Sequence, residues 1–295
     1  MPAFLLGETD AWLDGRGLCT ARQAPVGLGD GVKTVVVDRN TISPQVVSWR
    51  FERPHTNRVA WIKRGGGDTA QAVRQSGFVA FSDVVIVPGD LAREGDIVDE
   101  TAARRGKLRE VDVCHAYQII PPRAAKPKPR VFLSLGAFEQ PQRATFARIR
   151  EALVASDIPF SWSSYSDAPL SHGYPSGLRI SQRNALRHKS ECAASVSEGG
   201  YNSVHEALHL NRPVLFVPND GGGRERQSRR VAAAKRISPV AFDATTNGDL
   251  DEWIMAVRDF VGNGTGKGDE HDIIGDVSGG FAEMAQIIEA VVAQA

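Results

Sequence analysis

The feature that most constrains this chain is a recurrence of short, nearly unbroken apolar runs. Each stops at polar or turn residues and leads into a helix-compatible stretch. Three such runs lie over residues 34–38, 58–62 and 83–87. Six more lie over 130–135, 160–164, 178–180, 192–197, 213–217 and 240–242. A run that is apolar at successive positions has no face to show to water, so it reads as a strand buried on both sides. Strands of that kind belong to parallel sheets covered by crossover helices. Helices are expected over 68–76, 143–155, 202–210, 225–236, 249–261 and 281–293. In the second of these Phe146, Ile149, Leu153 and Val154 recur at helical spacing. The first thirty residues are rich in glycine and show no strand–helix unit.

The segment from Ile119 to Arg130 holds four prolines and several basic residues. Proline neither donates to a sheet ladder nor continues a helix, so the segment reads as a break between domains. The expected organisation is a shortened α/β domain over 1–122, a linker over 123–130 and a doubly wound α/β domain over 131–295. A long surface loop within one domain is the other reading of the same segment. With 295 residues there is enough chain for both cores without disulfides. Cys19, Cys114 and Cys192 match neither a metal spacing nor a disulfide framework, which suits a cytoplasmic setting. Lys plus Arg (35) balance Asp plus Glu (35), so bulk charge gives no reason to expect nucleic acid. Arg224, Arg226, Arg229 and Arg230 form a local basic cluster. The N-terminus lacks the pattern of a signal peptide and no run has the length of a membrane helix, so membrane contact is expected to be peripheral at most.

Three strand–loop–helix junctions carry the chemistry. In the first, the run ending at Ser197 passes through Gly199 and Gly200 straight into a helix. That geometry presents backbone N–H groups at the positive end of a helix dipole, and residues without side chains let a diphosphate approach. Tyr201, Asn202 and Ser203 open the helix. Glu206 stands one turn further on, where a carboxylate can accept from a ribose diol. The plainer reading is a glycine turn in which Ser203 and Glu206 form a capping box. In the second junction the run 213–217 ends at Pro218, Asn219 and Asp220. Gly221, Gly222, Gly223, Arg224, Glu225, Arg226 and Gln227 follow. Asn219, Asp220, Glu225 and Gln227 are suited to sugar hydroxyls, and Arg226 supplies a cation. In the third, Gly136 again follows a strand and precedes a helix, with Glu139 beside it.

The block Gly200-Tyr-Asn-Ser-Val-His-Glu206, followed by Pro213-Val-Leu-Phe-Val-Pro-Asn219 and Gln227, resembles the C-terminal domain of GT-B glycosyltransferases. Within these, the likeness is to relatives of the peptidoglycan-precursor N-acetylglucosaminyltransferase. Tyr174-Pro175, Val37-Asp-Arg39, Trp61-Ile-Lys-Arg-Gly65 and Val87-Pro-Gly-Asp-Leu91 carry the rest of the likeness. The resemblance implies an α/β, GT-B-like fold of two Rossmann-like domains facing a cleft, the first abbreviated. It implies a glycosyltransferase (hexosyltransferase-like) that takes its sugar from a nucleotide donor, expected to be UDP-linked. The diphosphate would sit at Gly199 to Ser203 with Gly136 nearby, the ribose on Glu206, the base against the backbone at Ile180, and the sugar near Gln227. No cofactor is expected.

The strand and Gly-rich loop that open the family's first domain have no counterpart here, which leaves an edge for a partner chain or a second copy to complete. An isolated chain that fixes only the donor is expected to be a weak transferase. The alternatives are a nucleotide-sugar-binding subunit that needs a second chain and a nucleotide-sugar hydrolase or epimerase of the same fold. Transfer needs a base for the acceptor hydroxyl. Asp38, at the end of a buried run, is the candidate; an Asp at a strand-end turn is its plainer reading. His205 and His209 have the spacing of a helical metal pair but lack a third ligand, so no metal is assigned.

Overall fold

A computed structural model of the chain describes residues 10–14, 17–21, 33–38, 42, 44–63, 69–93, 96–115, 117, 127–134, 140–163, 178–179, 182–221, 227–263 and 279–294. Its first elements are β1 (Asp10–Asp14), β2 (Gly17–Ala21), β3 (Thr34–Asp38), α1 (Pro44–Glu52), β4 (Arg58–Ile62), α2 (Thr69–Phe81), β5 (Val84–Pro88), α3 (Ile97–Arg104) and β6 (Leu108–Val111). There follow β7 (Lys128–Ser134), α4 (Gln140–Ala155), β8 (Phe160–Ser163), β9 (Leu178–Arg179), α5 (Gln182–Glu191), β10 (Cys192–Ser197) and α6 (Tyr201–Leu210). The last are β11 (Val214–Phe216), α7 (Gln227–Ile237), β12 (Ala241–Asp243), α8 (Asp249–Asn263) and α9 (Gly279–Val292). The chain divides into two compact units. One comprises 1–115 with 276–295, the other 116–275.

In the first unit the sheet order is β2-β1-β3-β4-β5-β6, with β3 to β6 parallel. Successive parallel strands are neighbours, so right-handed crossovers put α1, α2 and α3 on one face. There Val35, Val37, Val59, Trp61, Val85 and Val87 meet Val46 and Trp49 of α1, Val79 of α2, and Val98 and Ala102 of α3. A singly wound sheet leaves its other face bare. In this unit α9 covers it: Met284, Ile288 and Val291 pack on Val36, Ala60, Ile62 and Ile86. A side chain at Gly280 would place its Cβ 2.6 Å from the Asp112 carbonyl oxygen, so glycine is what lets the helix start come down on the chain there.

The second unit has the order β12-β11-β10-β7-β8-β9, and all its strands are parallel. Chain order runs outward from β7 to β9, then returns to β10 and runs outward the other way. That reversal makes it doubly wound, with a topological switch between β7 and β10. One face packs Val131, Leu133, Ala194, Val196 and Leu215 against Phe146, Ile149 and Leu153 of α4 and Trp253 and Val257 of α8. The alternate residues face the other way, and at the carboxyl ends of the strands they are polar. Ser197 is in register with Ser134, and Ser134 with Ser163.

Three expectations are corrected. Residues 281–293 do not close the second domain; as part of α9 they complete the first, because that sheet has an uncovered apolar face and the second sheet's faces are served by its own helices. The proline-rich segment is not all linker: Lys128, Pro129 and Arg130 lie within β7, and the units divide at 115–116. The β10–β7 ladder shifts register between Cys192 and Ala194, beside Pro129, where proline brings no N–H. Finally, the edge left beside β3 is not bare. β1 and β2 form a hairpin, and β1 pairs antiparallel with β3. Helices α1, α3 and α5 add to those expected. Among the described residues no helix is long and apolar enough to cross a membrane.

Candidate functional site

In an open α/β sheet, ligands collect outside the carboxyl ends of the strands at the point where strand order reverses. Here that point lies beyond Ser134 of β7 and Ser197 of β10. The turn after β10 is the Gly199-Gly200 junction. Gly200 stands at φ −66° and ψ 157° as the residue before α6. No side chain caps the helix start, and no acid lies in its first turn. The positive end of α6 is therefore not neutralised by its own sequence.

Gly199 and Gly200 do different work. A Cβ on Gly199 would lie 2.6 Å from Val231 Cγ2 and 3.1 Å from both Cβ and the carbonyl oxygen of Gln227. Gly199 is thus a glycine that packing itself requires, since it lets α7 close on the turn. Gly200 has ordinary extended backbone angles, so its conformation does not demand glycine.

The neighbouring loop is tied down from α7. Gln227 is buried, and its Oε1 accepts from the Asn219 N–H at 3.0 Å. Asp220 Oδ1 accepts from Ser228 N–H at 3.0 Å, capping α7, and Asn219 Oδ1 accepts from Gly221 N–H. The Gln227 side-chain amide oxygen thus orders the loop that carries Asn219. Asn219 is 7% exposed and its Nδ2 has no hydrogen-bond partner; the Ser197 and Ser163 hydroxyls are buried in the same condition. An unsatisfied buried donor is costly, so these three groups ask for a partner that no described residue supplies.

Glu206 is neither solvent-facing nor a cap. Lys189 of α5, with its side chain 4% exposed, donates to Glu206 Oε2 at 3.2 Å and lies 3.4 Å from the Ser203 carbonyl oxygen. The capping-box alternative fails because Gly200, not Ser203, occupies the cap position. The rings of Tyr201 and His205 are both buried and 4.6 Å apart, which puts His205 in a core contact, while Asn202 is exposed. Tyr117 donates to the Leu186 carbonyl oxygen at 2.7 Å and stacks on His209. Burial pushes the Tyr117 hydroxyl well above its usual range and lowers the His209 imidazole. Burial also pushes the Cys192 thiol up to about 11, which keeps it inert.

The basic cluster resolves differently from its sequence. Arg229 is exposed, whereas Arg230 is fully buried and donates to the Gly199 carbonyl oxygen at 2.8 Å. Its signal was the spacing Gln227, Arg230, Val231, Ala234, one stripe of α7 that faces inward. Lys189 carried no comparable signal, since Ala185 and Leu186 are the only apolar residues of α5 and form no inward stripe. Gly136, Ile180 and Arg226 lie outside the described residues, as do Glu139 and Glu225.

In the first unit, Asp38 ends β3 opposite Ile62 and is half-buried. Lys63, next along β4, is buried and pairs with Asp96 at 2.7 Å and Asp99 at 3.1 Å. Asp96 also caps α3 through the N–H groups of Val98 and Asp99, and Arg93 extends the network to Glu110. A chain of ion pairs thus locks α3 to the carboxyl end of the sheet.

The fold is that of the GT-B glycosyltransferases. Os79 from O. sativa, solved with U2F and a trichothecene, matches with a TM-score of 0.50 and 14% identity, over 75% of this chain and 57% of its own. Its complex with UDP gives 0.49 and 15%, over 77% and 59%. Arabidopsis thaliana UGT89C1 with UDP-L-rhamnose gives 0.49 and 13%, over 92% and 73%. The chain thus spans less than two thirds of the Os79 chain. No family model and no curated protein matches the sequence.

Proposed function

We propose that the second unit binds a nucleotide sugar, UDP-linked, and that the chain transfers the sugar to an acceptor hydroxyl. The observation that carries the reading is the coincidence, at one switch point, of an uncapped helix start with the buried, unpartnered Asn219 Nδ2 and Ser197 Oγ. In this reading the diphosphate lies across the N–H groups from Gly200 to Ser203, with Arg226 as a further cation and Gly136 on the facing junction. Lys189 holds one oxygen of Glu206 and so aims the other at a ribose hydroxyl. Ile180 backbone meets the base. Asn219 meets the sugar, and Gln227 acts by holding Asn219 in place. Charge that develops on the departing diphosphate is stabilised where the α6 dipole already points, without reorganisation. Asp38 takes the acceptor proton. No cofactor enters.

Calorimetry with UDP tests the donor site. The backbone angles at Gly200 suit any residue, so Gly200→Leu strains no torsion and should lose UDP affinity. Unchanged affinity in that variant removes the turn as the site. A second reading, a donor-binding subunit that needs another chain for its acceptor, is favoured by the singly wound first sheet, whose parallel strands contain no switch point. Turnover of a UDP-sugar with a defined acceptor by the single polypeptide would exclude it.

A further inference from the structure

Arg230 belongs to none of the roles above. It is wholly buried on α7, its Nη1 donates to the Gly199 carbonyl oxygen at 2.8 Å, and its guanidinium lies 5.9 Å from the centroid of the Tyr201 ring. Guanidinium stays protonated in proteins, so a full positive charge is held beneath the strand–helix turn. Keeping such a charge out of water is expensive.

The peptide it grips decides what the charge does. Described peptide bonds are all trans, and in a trans peptide the C=O and N–H point to opposite sides. With the Gly199 oxygen held towards Arg230, the Gly200 N–H is turned away from it and polarised by the cation on its far end. No described residue accepts from that N–H. The unpartnered Ser197 hydroxyl sits two residues before Gly199 and is also buried.

We propose that Arg230 is a positioning residue that sets the affinity of the Gly199-Gly200 turn for a diphosphate, acting through the peptide and not by contact with the ligand. This rests on the turn being the diphosphate site. It predicts selectivity as well as affinity: the cation should favour the charged part of the ligand and be indifferent to the nucleoside.

The test titrates the full chain with UDP and with uridine. Arg230→Gln keeps a donor for the Gly199 oxygen but removes the charge. It should weaken UDP roughly tenfold or more while leaving uridine unchanged. Arg230→His makes the charge titratable. Its preference for UDP over uridine, measured against wild type, should be larger at about pH 5.5 than at about pH 8. Wild-type preference in Arg230→Gln, or equal loss of both ligands, overturns the proposal. If Arg230→Gln does not melt cooperatively, Arg230→His decides, and a preference that follows wild type with pH overturns it. Wild-type protein that does not prefer UDP to uridine removes the diphosphate site itself, and the proposal with it.

Discussion

The two sheets are built from similar strands, yet only one has the reversal of strand order outside which open sheets collect ligands. Val35 to Val37, Val59 to Ile62 and Val84 to Val87 are as apolar and as buried as Val131 to Leu133 and Leu215 to Val217. What differs is order. In the second unit the chain reverses between β7 and β10, which opens a crevice and puts helices on both faces. The first unit never reverses, so its parallel strands share one helical face, and a distant helix is needed for the other. Strand chemistry sets that a sheet forms; connection order sets whether it has a site.

Removing α9 is the strongest way to break the comparison. Truncation after residue 275 uncovers the face that Met284, Ile288 and Val291 bury. At about 1.5–3 kcal/mol for each side chain, the loss rivals the whole stability of an ordinary domain. Limited proteolysis should then degrade the first unit and leave 127–263 protected. A first unit that stays protected would show that its sheet does not depend on the helix.

A smaller effect is expected inside the second unit. Glu206→Ala leaves Lys189 buried without its carboxylate, at a cost of about 3–5 kcal/mol. The pair of changes Lys189→Met and Glu206→Leu should recover most of that stability in urea melts while still failing to hold ribose. If the single variant melts like wild type, the ion pair contributes nothing and Glu206 is merely a surface acid.

Gly199→Ala should have the mildest effect. Its Cβ would lie 2.6 Å from a Val231 methyl and 3.1 Å from the Gln227 carbonyl, so Val231 and α7 must move back, at a cost of about 1–3 kcal/mol. Gln227 and Asn219 move with it, so UDP binding should weaken along with the melting temperature. Lost stability with unchanged UDP affinity would separate the packing glycine from the site.

Much of this was legible in the residues. Near-continuous runs such as Pro213 to Val217 mark strands buried on both faces, and the Gly199-Gly200 junction marks where one of them turns into a helix. Destination was not legible. Nothing in the amphipathic pattern of 281–293 tells which sheet it will cover, because one apolar stripe fits any bare apolar face. The hairpin at 10–21 was missed because glycine-rich sequence carries little periodicity. Lys189 with Glu206, and Arg230 with Gly199, are partnerships between elements distant in sequence. Side-chain type alone does not name such partners, because contacts between elements far apart in sequence leave no local pattern.

The dependence of the first sheet on α9 also has a consequence in time. During synthesis Val36, Ala60, Ile62 and Ile86 leave the ribosome before any of residues 116–275. At roughly 5–20 residues per second, those intervening residues occupy on the order of ten to thirty seconds. Throughout that interval one side of a finished sheet is greasy and uncovered, while the second unit can mature on its own. The nascent chain therefore carries a sticky, half-dressed N-terminal region until α9 arrives to cover it.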